Sequence, residues 1–228
     1  MTGITAAPAG RRLRPTPAAQ RPGLLHDPAL RMRWIVKPLL WIVCLTPAAR
    51  LLIGALRDDL GANPIEALTL TTGFWTLVLL MATLAVTPLR RLTGWNRLVQ
   101  LRRPLGLFAF FYVTLHFLVY IVLDQFFAFG YIIEDIAERP YITVGFTAFL
   151  LLIPLAITST RGWIRRMGRN WQRLHRVVYI AAGLGVLHFF WKVKADTREP
   201  LLFAGILAVL LASRLPTWLR RRRAARAA

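Results

Sequence analysis

The sequence predicts an all-α membrane protein, a bundle of six transmembrane helices with both termini cytoplasmic. Three observations predict it. Hydrophobic side chains make up 56% of the 228 residues and the mean hydropathy is +0.50, more than one soluble core of this length needs; at about 20 apolar residues per span there is enough for roughly six. The apolar runs are separated by short polar connections that carry helix punctuation, and no strand-like alternation or internal repeat stands out. The charge is distributed by loop, with 30 Lys and Arg against 10 Asp and Glu.

In chain order, residues 1–33 read as a basic, Pro-rich, disordered cytoplasmic tail, with Pro15, Pro17, Pro22 and Pro28. Its Arg11-Arg12 pair is no export signal, because the first apolar run begins only near Trp34. His26 in this tail is given no role. A window of about 19 residues then places spans near 35–56, 69–87, 104–123, 141–157, 174–193 and 200–215, a membrane domain of 34–215. The breaks fall at Gly61 to Pro64, Thr87-Pro88, Arg103-Pro104, Arg139-Pro140 and Glu199-Pro200. Residues 216–228 form a second basic cytoplasmic tail.

Orientation follows from the charges. The stretches 1–37, 88–104, 158–176 and 212–228 hold 24 basic residues and one acidic; the alternate connections hold six basic and nine acidic, among them Asp58, Asp59, Glu66, Asp124, Glu134, Asp135 and Glu138. Lys and Arg mark the cytoplasmic side, so an even number of spans with both ends inside satisfies every connection. Attraction to anionic inner-leaflet membrane lipid accounts for the net charge of +20, which excludes the need for a nucleic-acid partner. The single cysteine, Cys44, lies in an apolar run, and no C-x-x-C-H occurs. A disulfide framework and covalent c-type haem are thereby excluded.

Three histidines fall in the spans. His116 is midway along the third; His175 and His188 are on the fifth. An ionisable residue within the bilayer marks a functional site by default, and imidazole is a common iron ligand; the bland reading is an interhelical hydrogen bonder. Both spans run outward. His116 lies 13 residues after Arg103 and His188 12 after Arg176, or about 19.5 and 18 Å at 1.5 Å per residue. Two imidazoles at one depth on neighbouring helices form a clamp for a haem iron. Phe111, Phe117, Phe189, Phe190 and Trp191, with Gly183 and Gly185, would suit a flat macrocycle, and are also usual at helix contacts.

His175 is about 140° around the helix from His188 and about 19.5 Å along it, so the two cannot serve one iron. Three readings stay open for it: a second haem in some other arrangement, the border of a flavin or quinone site, or a helix cap among Arg173 and Arg176. Arg97, Arg165, Arg166, Arg169 and Arg173 lie in the cytoplasmic loops, where an FMN phosphate or another anionic donor would dock. No nucleotide-binding glycine motif, H-E-x-x-H or paired intramembrane carboxylates occur. With 13 residues after the sixth span, no nicotinamide or FAD domain is expected in this chain.

The strings KPLLWIVCLTPAARLL (37–52), LGANPIEALT (60–69), LRRPLGLFAFFYVTLHFLVYIVLDQ (101–125), RPYITVGF (139–146), PLAITST (154–160) and WQRLHRVVYIAAGLGVLHFFWKVKAD (171–196) resemble the MsrQ family. Its members are the haem-binding membrane subunits of bacterial protein-methionine-sulfoxide reductase systems, within the ferric-reductase-like transmembrane group. The resemblance covers about 35–215. It implies a multi-pass electron carrier of the bacterial inner membrane with haem b and FMN. Its acceptor would be a periplasmic molybdopterin-dependent methionine-sulfoxide reductase subunit, and its donor a quinol or a cytosolic flavin reductase. It further implies that His116, His175 and His188 are the family's intramembrane histidines. Such a subunit is an electron-transfer component rather than the catalytic one. The competing functions are a self-standing transmembrane ferric or quinone reductase, and a small transporter or scaffold with structural histidines.

Overall fold

The computed structural model describes residues 27–193 and 195–215. The tail 216–228 and all but the last residues of the tail 1–33 lie outside the described residues. The chain divides into a unit up to Pro38 and a larger unit from Leu39. In the first, a helical turn already starts at Pro28 (Pro28–Arg31) and passes into a π-helical turn, Met32–Val36, so helix begins several residues before the expected end of the tail. The reason is local. The Asp27 carboxylate accepts from the Ala29 N–H at 2.7 Å, and Pro28 occupies the first helical position, where its missing N–H costs nothing.

The α-helices that follow are α1 Lys37–Leu56, α2 Pro64–Thr93, α3 Arg102–Leu118, α4 Phe129–Glu138, α5 Pro140–Ile157, α6 Arg161–Met167, α7 Arg169–Leu174, α8 Val178–Lys192 and α9 Arg198–Ala212. A 3-10 segment, Asn96–Leu101, leads into α3, and a π-helical turn, Val119–Asp124, extends it. Another 3-10 turn, His175–Val177, joins α7 to α8. No strand occurs among the described residues. Among the described residues, five helical stretches are long and apolar enough to cross a membrane: Ala29–Leu56, Pro64–Thr93, Asn96–Asp124, Pro140–Ile157 and Arg169–Lys192. The sixth apolar run forms α9, whose 15 residues reach about 22 Å, against a hydrocarbon core of about 30 Å.

Proline punctuation proves to be a poor guide to where a buried helix stops. α2 does not end at Thr87-Pro88 but runs on to Thr93 and stops at Gly94 in the left-handed region, φ 68°. Pro88 cannot donate to the Leu84 carbonyl four residues back; that carbonyl accepts from Arg214 Nη2 at 2.6 Å instead, so the helix continues at no loss of hydrogen bonding. Within α1, Pro47 is similarly accommodated. The Tyr112 hydroxyl from α3 donates to the Cys44 carbonyl at 2.7 Å and accepts from the Ala48 N–H at 3.0 Å, binding the turn around the proline to the core. Tyr112 is completely buried.

α2 packs chiefly on α3, and α5 on α8. Ala109, Ala181 and Ala182 are fully buried, small side chains that let helices approach closely. Around them lie Leu77, Leu80, Leu84, Phe108, Leu152 and Leu207, while Trp41, Ile42, Leu52, Ile180 and Val209 remain exposed on outer faces, as lipid contact requires. α4, like the short α6 and α7, has no counterpart in the hydropathy profile: it places Phe129, Ile132, Ile133 and Ile136 at helical spacing, over a length that a 19-residue window averages away.

Candidate functional site

α3 and α8 each project one histidine into a cavity of about 410 Å³ between the helices. The rings of His116 and His188 face each other with centroids 6.1 Å apart and planes at 82°. His116 Nδ1 lies 3.0 Å from the Thr69 carbonyl of α2, with the Thr72 hydroxyl at 3.4 Å. His188 Nδ1 lies 2.7 Å from the Tyr141 carbonyl of α5. A carbonyl can only accept, so each ring carries its proton on Nδ1 and leaves Nε2 as a lone pair. A backbone acceptor behind a histidine is the arrangement that orients a metal ligand and raises its basicity.

Both rings lie against a glycine. A Cβ on Gly73 would come within 3.1 Å of His116 Cε1, and one on Gly145 within 2.6 Å of His188 Nδ1. In each case the glycine follows the acceptor carbonyl by four residues, one turn further along the same helix. The two seats also share one sequence spacing: acceptor and histidine are 47 residues apart in both, and the second set follows the first by 72 residues. At that offset Phe74 pairs with Phe146, Leu80 with Leu152, Ala109 with Ala181 and Phe117 with Phe189. An internal repeat is therefore present after all. Its defining acceptors are main-chain atoms, which leave no trace in side-chain identity, and the lipid-facing positions between them are free to vary.

The rest of the wall is apolar and aromatic: Phe74, Leu77, Phe117, Phe146, Phe149 and Phe189 among others. Of the aromatics the sequence offers for a flat macrocycle, Phe117 and Phe189 line the cavity, whereas Phe111, Phe190 and Trp191 are exposed away from it. Gly185 lines it, with a Leu77 methyl 3.1 Å from where its Cβ would be, while Gly183 meets nothing. The glycines that touch the histidines are Gly73 and Gly145 instead; their sequence signal is a glycine one turn after a residue at the depth of a histidine.

These residues fit a haem. Two metal–imidazole bonds of about 2 Å each, extended by the ring radii, span about 6 Å, close to the observed centroid separation. Among the described residues no three His, Cys, Asp or Glu cluster.

His175 stands apart. α5 and α8 run antiparallel: His188 pairs with the start of α5 and His175 with its end. His175 Nε2 lies 3.0 Å from the Thr158 hydroxyl, and that hydroxyl donates to the Pro154 carbonyl at 2.6 Å. Thr158 must therefore accept from His175 Nε2–H. The Trp171 ring stacks on His175 at 4.0 Å and its Nε1–H donates to the Thr158 carbonyl at 2.9 Å. Sequence reasoning does not anticipate Thr158 or Trp171. Arg165, Arg166, Arg169 and Arg173 are exposed on α6 and α7, near this end of the bundle and remote from the paired histidines; Arg166 lies over the Trp163 ring at 5.6 Å.

The model of the family described as ferric reductase like transmembrane component matches residues 72–186, which include His116, Tyr141 and both glycines and stop just short of Thr69 and His188. The protein-methionine-sulfoxide reductase heme-binding subunit MsrQ of Rhodospirillum rubrum is 57% identical over 188 residues, 82% of this chain and 90% of that protein. The chain belongs to the MsrQ family. The MsrQ proteins of Herminiimonas arsenicoxydans and Ralstonia nicotianae are 53% and 50% identical, over 79% and 85% of this chain and 84% and 89% of theirs. No solved structure matches the chain. As a member of the MsrQ family it is a multi-pass membrane protein.

Proposed function

We propose that this chain is the haem-binding, electron-carrying subunit of a bacterial protein-methionine-sulfoxide reductase system, working in the inner membrane. The observation that carries it is the His116–His188 pair: two Nδ1-protonated rings, each fixed by a backbone carbonyl, with centroids 6.1 Å apart. A b-type haem bound there supplies one-electron transfer. His116 and His188 would hold its iron, and the apolar wall would keep water from the metal and help set its potential.

In this reading α9 is the sixth span and both termini are cytoplasmic. Arg165, Arg166, Arg169 and Arg173 then face the cytoplasm, where they would receive the phosphate of FMN. The donor is a quinol or a cytosolic flavin reductase; the acceptor is a periplasmic molybdopterin-dependent methionine-sulfoxide reductase subunit, on the side of the nine acidic residues. The names of the relatives support the haem and the methionine-sulfoxide reductase system, and the charge asymmetry supports this direction. Detergent-purified protein should carry a low-spin haem spectrum and, once reduced, be reoxidised quickly by the periplasmic partner and hardly at all by free methionine sulfoxide. A colourless protein would mean a transporter or scaffold; fast reoxidation by the free sulfoxide would mean a self-standing reductase. A periplasm-dependent reporter should be active after Glu66, Glu138 or Asp196 and silent after Arg97, Arg169 or Arg223, and any inversion would overturn the topology.

A further inference from the structure

The cavity's wall carries its charged side chains at one end. Asp124, Asp135, Arg139 and Lys192 gather where the π-helical turn after α3, the helix α4 and the adjoining ends of α5 and α8 meet. Lys192 follows His188 by four residues, so it rises from the same face of α8 one turn, about 6 Å, nearer the mouth. Arg139 stands two residues before Tyr141, whose carbonyl holds His188.

The acidic partners are unequally provided for. Asp135 is bound from three sides: Arg139 Nε at 3.1 Å, the Tyr120 hydroxyl at 3.2 Å and Gln125 Nε2 at 3.5 Å. Gln125 Nε2 also donates to Asp124 at 3.3 Å. Lys192 instead lies over the Tyr141 ring, its Nζ 5.8 Å from the centroid, with no carboxylate within ion-pair distance among the described residues. At the equivalent place in the other seat, 72 residues earlier, stands Tyr120. The internal symmetry is thus broken at the mouth in favour of a cation, above a slot whose walls are apolar.

We propose that Lys192, assisted by Arg139, binds the haem's two carboxylates, and so seats the macrocycle with its acidic edge toward the mouth and its apolar edge among Phe74, Phe146 and Phe149. This rests on the haem reading above and deepens it: the histidines hold the iron, and the cations choose which way round the ring enters. Carboxylate recognition by an ammonium and a guanidinium at the rim of an apolar pocket is a charge-assisted contact that the esterified acid cannot make.

The test compares haem b with its dimethyl ester as probes, each offered to the full-length protein in detergent. The wild type should take up the free acid about tenfold more tightly than the diester. In Lys192→Gln that preference should shrink toward one while the bis-histidine spectrum is kept, the reduction potential should fall because a positive charge has been removed, and Lys192→Arg should restore both. Arg139→Gln should show a smaller loss of preference, since Asp135 shares that guanidinium. A Lys192→Gln protein with the wild-type preference would overturn the proposal and leave Lys192 to lipid headgroups; so would a wild type that treats the two porphyrins alike. A wild type that takes up neither would sink the haem reading itself, before any variant is compared, and this proposal with it.

Discussion

The α2–α3 hairpin and the α5–α8 pair make the same histidine seat from different surroundings. In both, a carbonyl takes the Nδ1 proton, a glycine one turn on lets the ring lie against the backbone, and the histidine comes 47 residues after the acceptor. The first pair is joined by little more than a turn and the 3-10 segment Asn96–Leu101; the second encloses α6, α7 and His175. At the level of His175, the position 72 residues earlier is Arg103. The duplication thus extends to one pair of opposed imidazoles and stops there. What is shared builds a symmetric clamp, and what differs, Arg103 against His175 and Tyr120 against Lys192, distinguishes the two ends and the two faces of it.

The sharpest way to break the comparison is to remove one ring. If the proposed clamp is right, His116→Ala and His188→Ala should each abolish low-spin haem absorption in the purified protein, to a similar extent, because each removes one of its two equivalent imidazoles. Full haem content in both would show that neither is a ligand. The glycines should separate the seats. Gly145→Ala brings a methyl to 2.6 Å from His188 Nδ1, where the ring itself must move, whereas Gly73→Ala meets His116 at 3.1 Å. Gly145→Ala should weaken haem binding by about 10–100-fold, the range for misplacing a ligand's support, and Gly73→Ala by less. Equal effects would mean that the two seats are equally tolerant and the closer fit of the second has no consequence.

A smaller change is expected from Tyr112→Phe, which loosens the tie between the first pair and α1. It strips the Cys44 carbonyl and the Ala48 N–H of their shared hydroxyl beside Pro47, and should destabilise the protein by about 1–3 kcal/mol with an unaltered spectrum, read as a lower thermal midpoint in detergent. Smallest of all at the clamp, His175→Ala should leave the His116–His188 spectrum intact and slow only the delivery of electrons from the basic end; a lost spectrum would join His175 to the same site.

Much of this could be read directly from the residues. The depth of His116 and His188 follows from counting residues along helices whose lipid exposure is written in their composition, and the exclusion of His175 follows from a 13-residue separation on one helix. Membrane helices are legible because every backbone group within the bilayer must bond inside its own segment, so each span writes its own boundaries in apolar length. Where that rule is satisfied from outside the segment, legibility ends. Pro88 reads as a stop and is not one, since Arg214 serves the carbonyl it frees. α4 is missed because its ten residues are amphipathic and too few for a span.

By itself, then, the sequence determined an all-helical membrane protein with a pair of level histidines and a charge asymmetry between its connections, all properties of single segments and their lengths. Only the tertiary structure decided that those histidines oppose each other, that Thr69 and Tyr141 hold their protons, that Gly73 and Gly145 admit their rings, and that Thr158 and Trp171 occupy His175. The carbonyls and the glycines act through a main-chain atom or a missing side chain on another helix, and neither leaves a chemical mark in the sequence until the helices are packed together.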